Sequence, residues 1–389
     1  MGLPVPRPPL GRKVLAVHLY DDFSGSANVF AQALLALRTA GHELTVLVGS
    51  HGRSGFIRSQ HPCQTVPYRL TPNRWLLLLS FMLAQCMFFL RTVGACLAGR
   101  VDVVYANTLL PVGAMLAARL CCREVVMHSH EVGLGSVGMF KLLHWIASRC
   151  ASRIVCVSDY VASTAGWPPQ KVQVVYNSLG RQAWAEAAAI ASNRQTRNPE
   201  QAFVVVMACS LRWYKGLDSF VALARRMLAA PEGPPLRFEL LLNCEADEFD
   251  AFQRSTSGQP GLLLVHRPPS VYQHYAHADL VLNLSHREGA VETFGLTLLE
   301  AMVCGVPVVS PTKGGCTEIV KDGQGGWRID SRDLDSLQTL INRLAHDRAA
   351  WQQASAAAAV AAQRFKPDVF ECRMQSIFSA DERSPQASA

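Results

Sequence analysis

Charge is scarce in this chain of 389 residues: Asp, Glu, Lys and Arg make up 17% of it, against 49% hydrophobic residues. That balance excludes an intrinsically disordered chain, which needs high charge and little apolar surface. Paired cysteines are lacking as well. The 12 Cys are scattered without any Cys-x-x-Cys, and Cys96, Cys156, Cys209 and Cys304 sit in apolar runs. A disulfide framework or a zinc site fits this worse than buried, reduced thiols of a cytosolic protein, and the adjacent Cys121 and Cys122 read as packing residues. No long apolar segment with a small-residue cleavage site opens the chain. A Pro-rich start runs straight into Lys13-Val-Leu-Ala-Val-His-Leu-Tyr20, so no signal peptide is expected. The basic residues are mostly single Arg without interleaved aromatics, which argues against a nucleic-acid partner.

An unbroken stretch of 20 apolar residues is also missing. The longest run, residues 75–90, has 16 positions between Arg74 and Arg91 and contains Ser80 and Gln85. It falls short of the roughly 20 residues that a transmembrane helix needs. A buried or half-buried helix, a membrane-docking helix and a true span stay open for it. It leads through Gly99 into an apolar strand at 101–105, which favours a crossover helix within an α/β domain.

The length suits two domains, each with its own core. Apolar strands are expected at 14–19, 44–48, 101–105, 124–128, 153–157 and 172–176, separated by helices, the first at 27–40 with Gly41 just past its end. A second series follows at 203–208, 238–242, 262–265, 279–284 and 306–310. This alternation implies an α/β fold of two Rossmann-like, doubly wound domains facing a central cleft, with ligands at the carboxyl ends of the strands. The expected bounds are 1–180 for the first domain and 181–201 for a linker whose Ala-rich part is helical. The second domain follows at 202–365, then a helix at 366–378 packing back toward the first domain and a disordered polar tail at 379–389. The net charge of +7 is uneven. Residues 1–180 hold 16 Lys/Arg against 7 Asp/Glu, and the remainder 21 against 23. The basic first half suits an anionic partner, such as a membrane surface or a phosphorylated acceptor.

The most informative stretch is Glu292-Thr-Phe-Gly-Leu-Thr-Leu-Leu-Glu300, followed by a Gly-x-Pro turn and an apolar strand. Read as helix, eight positions span about 12 Å, enough for the two carboxylates to reach opposite ends of a sugar nucleotide. Between them, the amides of Phe294, Gly295 and Leu296 would offer an anion site for a diphosphate. Upstream, Ser210-Leu-Arg212-Trp-Tyr-Lys215-Gly216 follows a strand. Arg offers phosphate a planar fork, Lys a point charge, and Gly a close backbone approach. His128-Ser-His130-Glu131 follows another strand, where a His can meet a sugar hydroxyl or leaving phosphate. Three candidate ligands in four residues are a weak metal signal. Asn177-Ser178 reads as a turn near the domain joint, and Lys313-Gly314-Gly315-Cys-Thr-Glu318 as a Gly loop opening a helix. Asp333-Leu-Asp335 looks like a metal box but reads better as a helix N-cap.

Taken together, these residues resemble a retaining glycosyltransferase of family 4 with the GT-B fold, over roughly residues 13–375. The Glu-x7-Glu element is matched by Glu292 and Glu300, and an Arg-x-x-x-Lys-Gly-like element by Arg212 and Lys215 with Trp213 and Tyr214 between. The departures are Ser24-Gly25-Ser26 in place of Gly-Gly, Ser178 after Asn177 in place of Gly, and Thr293 in place of Pro. The resemblance implies transfer of a glycosyl unit from a nucleotide-diphosphate sugar to a glycan or lipid-linked acceptor, with retained anomeric configuration. It implies a cytoplasmic setting in bacterial cell-surface polysaccharide synthesis, at the inner face of the plasma membrane. Glu300 would bind the ribose, and Arg212 and Lys215 the diphosphate. Glu292 would hold the donor sugar, and His130 would contact that sugar or position the acceptor. Gly25, Ser26, Asn177, Thr293, Phe294, Gly295 and Leu296 would complete the donor site. No metal and no cofactor beyond the nucleotide sugar are expected, since Lys, Arg and a helix dipole neutralise the diphosphate. An epimerase and a non-catalytic nucleotide-sugar-binding scaffold of the same fold are the alternatives.

Overall fold

The computed structural model describes residues 11–379 apart from 51, 53, 133–137, 195–200, 231–234, 257–259, 287 and 289–290. The first ten residues and, of the expected tail at 379–389, residues 380–389 lie outside the described residues. Two compact units divide the chain. One takes it to Tyr176 and again from Asp368, and the other is Asn177–Pro367.

The first unit runs β1 (Lys13–His18), α1 (Gly25–Thr39), β2 (Glu43–Ser50), α2 (Phe56–Gln60), β3 (Gln64–Pro67) and α3 (Arg74–Leu97). It continues with β4 (Val103–Asn107), α4 (Val112–Leu120), β5 (Glu124–Ser129), α5 (Gly138–Cys150), β6 (Arg153–Cys156), α6 (Asp159–Thr164) and β7 (Val172–Val174). Its sheet is parallel with strand order β3-β2-β1-β4-β5-β6-β7. The central strands are largely apolar because both sheet faces are covered, and all five residues of β4 are buried.

The second unit runs α7 (Arg181–Asn193), β8 (Phe203–Ser210), α8 (Leu217–Leu228), β9 (Leu236–Asn243), α9 (Ala246–Thr256), β10 (Leu262–His266) and α10 (Tyr272–Tyr275). After these come β11 (Leu280–Leu282), α11 (Leu296–Val303), β12 (Val308–Ser310), α12 (Cys316–Ile319), β13 (Gly326–Arg328), α13 (Leu334–His346) and α14 (Arg348–Ala362). Its parallel sheet has order β10-β9-β8-β11-β12-β13. The last helix, α15 (Pro367–Phe378), joins the first unit. There Phe378 meets Tyr105 edge-on at 5.1 Å and Gln375 Nε2 donates to the Ala36 carbonyl.

The expected α/β class with two Rossmann-like parallel sheets is what forms. Several local expectations are corrected. Strands β3 and β13 were not anticipated: with four and three residues they are too short to show a pattern. Helix α1 starts at Gly25, two residues earlier than expected, because Ser24 takes the cap position and its carbonyl accepts from Asn28 N. The Ala-rich part of the expected linker, Arg181–Asn193, is helical as expected. The guanidinium of Arg194, just past α7, donates to the carbonyls of Tyr275, Ala278 and Cys304. Asn177 belongs to the second unit, where Ser178 Oγ donates to the Phe365 carbonyl at 2.6 Å. The run at 75–90 is part of a 24-residue helix, longer than its apolar run suggested, because Asn73 caps it and Arg91 lies inside it. Asp333 caps α13 as expected, its carboxylate accepting from Ser336 N.

One charge inside the second core was unforeseen. Glu239, in mid-β9, has no exposed surface, yet its carboxylate accepts from His274 Nδ1 (2.7 Å), His277 Nε2 (3.0 Å) and Arg237 (2.7 Å). Burial pushes this carboxyl up, but the bonds from His277 and His274 together with Arg237 outweigh it and hold it down to about 2. A carboxyl with a depressed folded value stabilises the fold above its ordinary value of 4.5 and loses that contribution as pH falls toward 2. Glu239→Gln is expected to lower the thermal midpoint by several degrees at pH 7, with the gap narrowing on acidification from pH 4.5 to 3. A gap that stays constant over that range would contradict this account.

Candidate functional site

Parallel strands send their carboxyl ends to one edge of each sheet, and the motifs fall on those edges. In the second unit, β8 ends at Ser210, and Arg212 leads into a single 3₁₀ turn, Trp213–Lys215. Gly216 closes this turn at φ 75°, and a Cβ there would lie 2.0 Å from the Leu284 carbonyl oxygen. Only glycine lets the two loops approach so closely. His286 N donates to the Tyr214 carbonyl at 2.7 Å, while the His286 ring bridges Asp218 (3.1 Å) and Ser331 (2.9 Å) and stacks with Trp213. The loop carrying Lys215 is thus clamped to the chain leaving β11.

Glu292 lies between β11 and α11. Its Oε2 accepts from Lys215 Nζ at 2.9 Å and from Asn283 Nδ2 at 3.3 Å, with Ser285 Oγ 3.4 Å away. Burial by itself would push the Lys215 ammonium down and the Glu292 carboxyl up. Each overrides that for the other, so Lys215 is raised and Glu292 lowered. Gly315 N donates to the Glu292 carbonyl at 2.8 Å, and a Cβ on Gly314, at φ 116°, would stand 2.4 Å from that oxygen. The Gly314-Gly315 loop therefore seats Glu292.

The helix between the two acids starts later than expected. Helix α11 opens at Leu296, with Gly295 as cap, and the Gly295 carbonyl accepts from Leu298 N and Leu299 N. Glu292 and Thr293 are not helical, so the separation of the carboxylates is not that of a continuous helix. The ring of Phe294 is buried edge-on against Phe365 at 5.6 Å. The helix mouth that an anion would meet is at Leu296 and Thr297. Glu300, in the second turn, is half-buried, and among the described residues its carboxylate makes no hydrogen bond or ion pair. Burial pushes it up to about 7. Arg212 is exposed, and among the described residues its guanidinium has no carboxylate or carbonyl partner. Asn177 is buried with its side-chain oxygen unpartnered.

In the first unit, Gly25 and Ser26 form the first turn of α1, where amides precede the first intrahelical bond. Asn107, the last residue of β4, ties three strand ends together. Its Nδ2 donates to the Ser26 carbonyl (3.2 Å) and to His18 Nδ1 (3.1 Å), and its Oδ1 accepts from His130 Nε2 (2.9 Å). This network leaves His130 Nδ1 as an acceptor. Burial, helped by His128 and His18, holds His130 well below the usual histidine range, so it is neutral at pH 7. His128 is fully buried and its Nδ1 bonds the Tyr105 hydroxyl at 2.8 Å. Burial pushes Glu131 up to about 7.

Sequence reasoning missed Asn107, Asn283, Ser285 and His286. All four lie at or just past the carboxyl end of a strand, and that position was the available signal. A separate cavity of about 1110 Å³, lined by Glu186, Arg194, Arg237, His277 and Asp279, opens where β8, β9 and β11 begin, at the edge away from these motifs.

Glu300 carries a stability signature. A carboxyl raised in the folded state stabilises most below its ordinary value of 4.5 and costs stability as pH rises through about 7. Glu300→Gln is therefore expected to raise the thermal midpoint at pH 8, by on the order of 1–3 kcal/mol of stability, and to change nothing at pH 4. Equal midpoints at pH 8 would show that the carboxylate is not destabilised there.

Comparison with known proteins agrees with this arrangement. Residues 23–179 match the family described as Glycosyltransferase Family 4, and residues 190–361 match Glycosyl transferases group 1. The chain is 27% identical over 228 residues to a D-inositol 3-phosphate glycosyltransferase of Streptosporangium roseum, covering 56% of this chain and 51% of that protein. It thus spans about half of that relative. It is 25% identical over 359 residues to a glycogen synthase of Mycobacterium tuberculosis, covering 83% of each. The crystal structure of Anabaena HepE in complex with UDP and glucose superposes with a TM-score of 0.73 at 20% identity, covering 95% of this chain and 100% of that one. With both family matches falling in order on its two parallel-sheet units, the chain belongs to glycosyltransferase family 4, with the GT-B fold.

Proposed function

We propose that this protein transfers a glycosyl unit from a nucleotide-diphosphate sugar to a glycan or lipid-linked acceptor, with retention, in cell-surface polysaccharide synthesis. The observation that carries this reading is the Lys215–Glu292 pair on the carboxyl edge of the second sheet. The exposed Arg212 and the unpaired Glu300 belong to the same set of loops and helix. HepE, of the same fold, is described as crystallised with UDP and with UDP-glucose, which supports a nucleotide-sugar donor here.

In this reading the diphosphate lies against Arg212, Lys215 and the mouth of α11. Lys215 turns from Glu292 toward the phosphate oxygens, and Glu292 is released to the donor-sugar hydroxyls. Glu300 accepts from the ribose hydroxyls, which supply the partners it lacks. The bond from the anomeric carbon to the diphosphate breaks. A bond to the acceptor oxygen forms on the same face, and the acceptor proton leaves with the departing diphosphate oxygen. Fixed positive charge on the leaving group is the main contribution of this chain, and two cations with a helix dipole can supply it without a metal. On the first unit, neutral His130 offers Nδ1 as a hydrogen-bond acceptor to a sugar hydroxyl, and Asn107 orients its ring.

Lys215→Ala is expected to cut turnover about 100-fold or more with the fold intact by circular dichroism; near-normal turnover would remove Lys215 from its role. Glu300→Ala should weaken nucleotide binding by calorimetry, against UDP, GDP and ADP in turn, and unchanged affinity for the nucleotide that binds would contradict the ribose contact. Activity should survive EDTA, so a strict divalent requirement would overturn the metal-free chemistry. Product formed from the nucleotide sugar alone, without acceptor, would point to an epimerase instead.

A further inference from the structure

Helix α3 has two apolar faces. Phe81, Ala84, Gln85, Phe88, Thr92 and Cys96 form the buried stripe. This stripe lies tightly against α4: Gly113 N donates to Gln85 Oε1 at 2.9 Å, and a Cβ on Gly113 would stand 2.2 Å from the Gln85 carbonyl oxygen. The opposite stripe should be polar in a surface helix. Instead it is Trp75 (67% exposed), Leu79, Met82, Leu83, Leu90 (67%) and Leu97 (81%). Only 28% of the most apolar window of α3 is buried.

The outer face continues onto neighbouring helices. The crossovers from β3 to β4, β4 to β5 and β5 to β6 all step the same way across the sheet, so the right-handed rule puts α3, α4 and α5 on one face. There α4 exposes Leu120 (71%), and α5 exposes Met139, Leu142 and Trp145. These three helices contain no Asp or Glu, whereas Arg74, Arg91, Arg119, Lys141 and Arg149 are all exposed on them. Two of these cations lie over exposed indoles: Arg74 over Trp75 at 5.1 Å and Arg149 over Trp145 at 5.7 Å.

We propose that the outer face of α3, α4 and α5 is a docking surface for an anionic lipid bilayer, on which α3 lies in the plane of the interface. Exposed leucines and indoles suit the acyl boundary, and Arg and Lys suit acidic headgroups. A span is incompatible with the fold. Although 24 residues reach about 36 Å, drawing α3 across a membrane would strip Phe81 and Phe88 out of the core. A second copy of the same face is disfavoured because it would set five cations against five with no anion between them. The proposal stands independently of the donor site, which lies on other elements, and it would bring a lipid-linked acceptor to the first unit.

Flotation of the full chain with two kinds of vesicle tests this: phosphatidylcholine alone, and phosphatidylcholine with 30% phosphatidylglycerol. The expected result is at least tenfold more binding to the anionic vesicles, reduced in 0.5 M salt. Leu79→Glu combined with Leu83→Glu should abolish it while leaving the thermal midpoint and nucleotide affinity unchanged, since both side chains are already exposed. Failure to float, equal binding to both vesicles, or a double variant that still floats would overturn the proposal. A wild-type dimer that the same double variant dissolves, without vesicle binding, would assign the face to self-association instead. Nucleotide affinity, read separately by calorimetry, keeps this outcome distinct from failure of the glycosyl-transfer reading.

Discussion

Parallel pairing throughout both sheets is the constraint from which the rest follows. It sends every strand's carboxyl end to the same edge, so loops far apart in sequence meet there. In the second unit the loops after β8, β11 and β12 must share that edge. They do so at backbone contact distance, which is why glycine stands at 216 and 314. The Lys215–Glu292 pair is the electrostatic result of that crowding: 77 residues separate the two groups in sequence and 2.9 Å separates them in space.

The charges on this edge are balanced unequally. Lys215 and Glu292 satisfy one another, and Asn283 adds a further donor to the carboxylate. Glu300 has no such partner among the described residues and is held near neutrality by burial. A desolvated carboxyl without a donor is costly in an empty protein and useful in one that receives hydroxyls from a ligand. On the first unit the same logic works with neutral groups: Asn107 fixes the tautomer of His130, and burial keeps that ring uncharged. Glu239 shows the contrary case, a buried acid fully matched by its own neighbours and needing nothing from outside.

Much of the architecture was legible because parallel strands covered on both faces are largely apolar, so β1, β4 and β8 stand out as runs, and β9 does so despite Arg237 and Glu239. Strands β3 and β13 did not, since a three- or four-residue edge strand has too few positions to declare a pattern. The residue types suited to phosphate and sugar, Arg212, Lys215, Glu292 and Glu300, were visible from their chemistry and their position after strands. The start of α11 was misplaced because Phe294 looks equally at home in a helix. Only its packing on Phe365 shows that the chain is still entering the core there. Asn107 and Asn283 escaped notice because an Asn at a strand end is ordinary until its partners are known. Helix α3 was read from the length of its apolar run, but burial, the quantity that matters at a surface, is not encoded in that run.

By itself, the sequence determined the two-sheet α/β class, the βα alternation and the residue types that suit a nucleotide sugar. Each depends on composition or on local periodicity, which a linear chain displays directly. Tertiary structure alone decided which charges pair and which stay unpaired, where the helix mouth opens, and which stripe of α3 faces outward. Those outcomes depend on distances between residues remote in sequence, and such distances exist only once the parallel sheets have brought the strand ends together.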